Sequence, residues 1–164
     1  MRLIKRISLV FAIIFACAGC DQITKQVASS SLEFNQIYSF AGDLFRLHYV
    51  FNKGAFLGLG DTLSEQQRHI IFIVLVSIVL LAVLIYTIAN HAMNLSDAVA
   101  YSIILGGGFS NLFDRVTNNG VVIDFLNIGV AQVRTGIFNL ADVFIMVGVL
   151  LFLFNTQIFH SKKT

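Results

Sequence analysis

Residues 70–89 read IIFIVLVSIVLLAVLIYTIA, an uncharged run of about the length a helix needs to cross a hydrocarbon layer roughly 30 Å thick. Just before it, Ser64 followed three positions on by Gln67 has the pattern of a helix-starting capping box. Just after it, Asn90 to Asp97 is a short connection, so the next apolar segment, Ala98 to about Phe113, must return antiparallel. Two further segments have the same character: Ile7 to Gly19 behind the basic residues Arg2, Lys5 and Arg6, and Phe138 to Phe154 ahead of His160, Lys162 and Lys163. Basic residues stay on the cytoplasmic side, so both ends are expected there, as an even number of crossings requires.

Composition agrees with that reading. With 164 residues, 57% hydrophobic and 12% charged, and a mean hydropathy of +0.81, the chain lies in the membrane class. The expected fold is an all-α membrane protein, a four-transmembrane-helix bundle with helices at about 4–25, 66–90, 96–114 and 137–158. A small extramembrane β-element is expected at about 32–62, where Phe45, Leu47, Tyr49 and Phe51 alternate with Arg46, His48 and Val50. Residues 1–164 leave no room for a second domain. Gly54, Gly58 and Gly60 break up the apolar stretch after the strand. Asn118-Asn119-Gly120 signals a turn, and Val121-Val122-Ile123 a short apolar run dipping towards the interface. Gly106-Gly107-Gly108 interrupts the third helix, where small residues let backbones approach closely, and Ser110 extends that small surface.

Several function classes are disfavoured. The formal charge is only +2 and the basic residues form no stripe, so no nucleic-acid partner is expected. The scattered His48, His69, His91 and His160 include no ligand-spaced cluster, so neither metal nor cofactor is expected. There is no G-x-S-x-G. Cys17 and Cys20 form a C-x-x-C inside an apolar run, without the strand-turn-helix setting of a redox motif. Ala18-Gly19-Cys20 imitates the cleavage box of a lipoprotein precursor. Cys17 stands where leucine is usual there, and the remainder is itself membrane-like, so the first helix is expected to be retained.

Polar residues gather at one depth. Asp21 and Lys25 fall at the outer end of the first helix, Asn111, Asp114 and Arg115 at the outer end of the third, and Asn139 with Asp142 at the outer start of the fourth. Spacings of i,i+4 and i,i+3 put each pair on one helix face, and such faces turn inward because lipid does not solvate them. Asp21 with Lys25, and Asp114 with Arg115, are expected to neutralise each other. Asp124 and Asp142 have no adjacent base. Facing one pocket, they would share a proton near neutral pH and could act as general base and general acid on an amide. Membrane carboxylates equally suit a proton or ion pathway.

Taken with their motifs, these residues resemble lipoprotein signal peptidase, also called signal peptidase II. Asp21-Gln22-Ile23-Thr24-Lys25 is similar to the family's D-Q-x-T-K, and Asn52-Lys53-Gly54-Ala55-Phe56 to its N-x-G-A-F. Gly106-Gly107 with Asn111 to Arg115 resembles G-G-x-x-G-N-x-x-D-R, Gly120 to Phe125 resembles G-x-V-x-D-F, and Phe138 to Asp142 resembles F-N-x-A-D. The resemblance implies an inner-membrane aspartyl endopeptidase that cuts diacylglyceryl-modified prolipoproteins just before the lipidated cysteine. Its active site would lie near the periplasmic face, and globomycin would inhibit it. Asp124 and Asp142 match the catalytic pair. Asp21, Lys25, Asn52, Gly54, Asn111, Asp114, Arg115 and Asn139 would bind substrate or support the site. The partners implied are lipid-modified prolipoproteins and membrane lipids, met by a monomer.

The chain departs from the family pattern at five points. Ser110 stands where glycine is usual, one extra residue separates Arg115 from Gly120, the second alanine after Gly54 is missing, and Val143 replaces a frequent serine or threonine. The stretch before Phe138 also lacks the usual aromatics and proline. Two rivals to the enzyme reading are weaker: a transporter would favour paired half-helices, and a lipid-anchored structural protein would begin at Cys20.

Overall fold

In the computed structural model, which describes residues 3–54, 60 and 62–161 (157–161 by backbone alone), most of the chain is helical and a small antiparallel sheet completes it. The helices are α1 (Leu3–Ser31), α2 (Glu65–Ala89, with Ile70–Leu75 wound as a π-helix), α3 (Leu95–Thr117) and α4 (Leu140–Ser161). The strands are β1 (Ile37–Phe40), β2 (Phe45–Asn52), β3 (Val122–Val130) and β4 (Val133–Arg134), paired in that order. Ala55 to Leu59, including Gly58, and the basic Arg2, Lys162 and Lys163 lie outside the described residues.

Burial is inverted relative to a protein dissolved in water. The fully enclosed side chains include Lys25, Asp21, Asn139, Asp114, Asp124 and Ser110. Meanwhile Ile70, Leu75, Ile78, Val79, Leu81 and Ile85 stand on the outside of α2. Outward apolar faces and an inward polar cluster are what a hydrocarbon solvent selects. By length and apolar composition, α1 and α2 are each able to cross a membrane. Within α4 the apolar stretch is shorter, Leu140–Thr156. Helix α3 carries Asp97, Asp114 and Arg115 and faces all three other helices.

That central place explains the glycine run. A Cβ on Gly106 would stand 2.6 Å from Cys17 Cβ of α1, and one on Gly108 would stand 2.6 Å from Leu80 Cδ2 of α2. One on Gly107 would meet the Ala141 carbonyl of α4. The three consecutive positions thus admit three neighbouring helices, and close backbone approach replaces the solvent-driven packing that hydrocarbon does not supply. Val10, Ile14, Leu80 and Leu105 form the apolar core beside them.

The helix ends are closed locally. Ser64 Oγ accepts from the Gln67 N–H at 3.3 Å, while Gln67 Oε1 accepts from the Ser64 N–H at 3.0 Å, the expected capping box. Asn94 caps α3 through the Asp97 N–H at 2.7 Å. At its other end, Asn119 and Gly120 take positive φ values of 54° and 87°, and the Gly120 N–H donates to the Arg115 carbonyl at 2.8 Å. This left-handed stop turns the chain from α3 into β3. Arg6, buried in α1, donates to the carbonyls of Asn90 and Met93 and holds the α2–α3 connection against the first helix.

Three expectations need correction. Helix α1 extends to Ser31 rather than ending near residue 25, because Lys25 is neutralised inside the bundle and does not mark the exit from it. The run after Gly120 extends the β-element beyond the expected span of about 32–62. It is strand β3, pairing with β2 in a register that sets Val50 opposite Asp124 and Asn52 opposite Val122. The apolar alternation in β2 does not separate a buried face from an exposed one: Phe45 and Phe51 are exposed, and the pairing is irregular between Leu47 and Val50.

Substituting Gly106→Leu, which drives a side chain into Cys17 and the Ile14 backbone, should destabilise the bundle by about 1–3 kcal/mol. Thermal unfolding in detergent should show the loss. Gly19→Ala, where nothing lies within 4 Å, should be neutral or mildly stabilising.

Candidate active site

The site begins with a buried lysine. Lys25 of α1 is 1% exposed, and its Nζ lies 2.7 Å from Asp21 Oδ2 and 2.9 Å from Asp114 Oδ2. It also donates to Asn111 Oδ1 at 2.8 Å. One cation between two carboxylates leaves a negative charge in excess, and bonds to buried N–H and O–H groups disperse it. Asp21 Oδ1 accepts from the Ala141 N–H at 2.8 Å, one of the unpaired donors in the first turn of α4. Asp21 Oδ2 accepts from Ser110 Oγ at 2.7 Å. Asp114 accepts from Gln22 Nε2 at 2.7 Å and from the Ile123 N–H at 3.1 Å. The expected Asp21–Lys25 pair is present. The expected Asp114–Arg115 pair is not, because adjacent helical residues project in different directions.

These bonds position two other carboxylates. Asp114 holds the backbone of Ile123, next to Asp124 in β3, while Asp21 holds the start of α4, where Asp142 sits one residue past Ala141. Asp124 and Asp142 converge on Asn139. Its Nδ2 donates to Asp124 Oδ1 at 2.7 Å, and its backbone N–H donates to Asp142 Oδ2 at 3.1 Å. Asn139 Oδ1 accepts in turn from the Asp142 N–H at 3.0 Å, so this residue is also the cap of α4. The remaining oxygens are bonded too: Asn52 Nδ2 donates to Asp124 Oδ2 at 2.8 Å, and Asn111 Nδ2 donates to Asp142 Oδ1 at 2.9 Å. Asn139 Nδ2 lies 3.1 Å from Asn111 Oδ1, which also accepts from Lys25.

The electrostatics of Asp124 follow from this enclosure. Burial pushes its carboxyl up to about 7, and the nearby Asp142 charge adds to the rise. The amides of Asn52 and Asn139 and the charge on Lys25 oppose it.

Arg115 faces away from Asp114. Its guanidinium donates to the Gly54 carbonyl at 2.7 Å and to the Asn111 carbonyl at 3.3 Å, and it lies 5.4 Å from the Phe72 ring centroid. Gly54 therefore takes part through its backbone oxygen. Beside Asp142 and Asn111 opens a largely apolar cavity of about 450 Å³, walled by Phe72, Val76, Ile145 and Met146. A carboxylate at the polar end of an apolar groove can meet a lipid-borne or apolar substrate that brings an amide with it.

All ten residues singled out from sequence fall in one connected region. Two contributors escaped that reading. Ser110, read as a small packing residue, donates its hydroxyl to Asp21 and accepts from Gln22 Nε2 at 2.9 Å. Gln22 itself bridges Ser110 and Asp114. The available signal was that Gln22 follows Asp21 and Ser110 precedes Asn111, so each is next to a residue already chosen.

Comparison with known proteins adds independent findings. A profile of the family described as signal peptidase (SPase) II matches residues 13–158. The chain is 38% identical over 157 residues to the lipoprotein signal peptidase of Caldicellulosiruptor bescii, spanning 92% of this chain and 96% of that one. It is 36% identical over 140 residues to the lipoprotein signal peptidase of Wigglesworthia glossinidia brevipalpis, spanning 85% and 88%. A solved structure described as a bacterial membrane enzyme is similar with a TM-score of 0.82 at 26% identity, over 96% of this chain and 93% of that one. A second, described in the same words, has a TM-score of 0.74 at 26% identity over 92% and 93%.

Replacing Lys25 by Met would leave Asp21 and Asp114 facing each other without their cation. The loss should be about 3–5 kcal/mol, read as a lower unfolding midpoint in detergent.

Proposed function

Because this chain belongs to the signal peptidase II family, we propose that it removes signal peptides from diacylglyceryl-modified prolipoproteins, cutting just before the lipidated cysteine, with Asp124 and Asp142 as the catalytic pair. The observation that carries the reading is the convergence of both carboxylates on Asn139, with Asp142 also lining an apolar groove. Four helices cross the inner membrane as one domain, residues 1–164, with both termini cytoplasmic and the sheet on the periplasmic side. The exposed apolar faces of α1, α2 and α4 support that placement. The enzyme works as a monomer among membrane lipids. A substrate anchored by its acyl chains presents its scissile bond where the groove meets the polar cluster.

The chemistry needs one proton on the pair. Because the Asp124 carboxyl titrates at about 7, it keeps its proton below that pH and can serve as the donor of the pair. The ionised carboxylate takes a proton from water as the oxygen attacks the amide carbon, and the protonated one gives its proton to the departing nitrogen. Neither a covalent intermediate nor a metal is required. Asn52, Asn111 and Asn139 fix the carboxylates by hydrogen bonds donated from their side-chain amides, so little reorganisation accompanies the attack. Asp21, Lys25 and Asp114 are positioning residues that hold α1, α3, α4 and β3 in register. Arg115 and Gly54 shape the approach beside the groove.

Asp124→Asn and Asp142→Asn should each stop cleavage of a lipid-modified precursor, by a factor of about 10³ or more, while the protein still inserts and folds. Gel mobility of a prolipoprotein in cells relying on each variant reports this, and normal processing by either would refute the assignment. Above about pH 7 the second carboxylate ionises and the proton donor is lost, so the cleavage rate should fall as pH rises through that value. The same shift has a stability counterpart. The carboxyl titrates higher in the folded protein than in the unfolded chain, so resistance to unfolding should decline as pH rises from the ordinary carboxylate range to about 7.

A further inference from the structure

A second cavity, of about 630 Å³, shares Arg115 with the apolar groove. Its wall brings together Lys53, directly after β2, Arg68 and His69 in the first turns of α2, and Arg115 at the end of α3. Glu65 is the one carboxylate among the described residues that line it. Three permanent cations against one anion give its concave wall a positive field. Arg115 adds a specific signal. It is 9% exposed, no carboxylate lies within ion-pair distance of it among the described residues, and its Nε has no hydrogen-bond partner there. A buried cation with unused donor capacity is costly unless an anion completes it.

Building on the signal peptidase reading, we propose that this cavity receives the first residues of the mature chain, on the far side of the scissile bond from the signal peptide, and that it favours acidic side chains there over basic ones. Two observations order the substrate. Arg115 and the Phe72 ring beneath it lie at the boundary: both border the apolar groove that contains Asp142, and Arg115 also borders the cationic cavity. The residues before the cut belong to an apolar segment ending in small residues, which matches Val76, Ile145 and Met146. The residues after it start a water-soluble chain, which matches Lys53, Arg68 and Glu65. A carboxylate two to four positions beyond the modified cysteine would meet the guanidinium groups of Arg68 and Arg115, whereas a lysine there would be repelled.

The full-length enzyme in detergent or neutral-lipid vesicles is given three synthetic diacylglyceryl precursors, identical except for aspartate, serine or lysine at those positions. The serine precursor tests the underlying function: if it is not cut, the peptidase reading fails and the selectivity claim that rests on it falls with it. If it is cut, the aspartate precursor should exceed the lysine one in kcat/KM by about fivefold, chiefly through KM, and the gap should narrow at high salt. Arg68→Glu and, separately, Lys53→Glu should reverse that order. The readout is a ratio between substrates, so partial loss of folded enzyme does not alter it, and Lys53→Glu leaves the Arg68 bond to the Leu63 carbonyl in place. Equal turnover of all three precursors, or an order unchanged in both variants, overturns the proposal. Turnover that follows the content of anionic lipid in the vesicle, whatever the peptide charge, also overturns it and gives the cavity to a lipid headgroup.

Discussion

The ammonium group of Lys25, enclosed with Asp21, Asp114 and Asn111, is the constraint on which the arrangement depends. A charge removed from water in this way is tolerated only if its partners are already in place, so the bundle and the polar cluster must form together. Each partner then passes the constraint on. Asp21 reaches the first turn of α4, Asp114 reaches the backbone of β3, and Asn111 reaches Asp142. Four elements from distant parts of the chain are registered against one another by a single side chain of α1.

This explains why charged residues that do no chemistry are buried beside those proposed to do it. Asp124 and Asp142 sit on different elements, a strand and the first turn of a helix, and neither element carries an internal reason to face the other. The network around Lys25 supplies that reason, and Asn139 fixes the final geometry by bonding both carboxylates. Ser110 shows how a departure from a family pattern can be absorbed. Where glycine would give only close approach, the hydroxyl links Gln22 to Asp21 and tightens the α1–α3 contact.

Much of the site could be read from residues alone. Asp21, Lys25, Asn111, Asp114, Asn139 and Asp142 stand at helical spacings near the ends of apolar runs, so their depth and facing follow from periodicity. Asp124 was legible only as a carboxylate after a short apolar run. Its strand was not, since the burial of Val122, Asp124, Phe125 and Asn127 depends on pairing with β2, seventy or more residues earlier. The partner of Asp114 was misread for a related reason. Proximity in sequence suggested Arg115, whereas the helix turns that side chain away and a lysine from another helix takes its place.

The amino-acid sequence by itself determined the hydrocarbon-facing character of the helices, the ends at which polar residues gather, and the family to which the motifs point. These are consequences of local composition and spacing, which need no knowledge of distant partners. Tertiary structure alone decided that Lys25 serves two aspartates, that β2 and β3 carry Asp124 to Asn139, and that Arg115 borders both a largely apolar groove and a cavity with a cationic wall. Such pairings join residues far apart along the chain. They are selected by the free energy of satisfying buried charges in three dimensions, a quantity that no linear pattern contains.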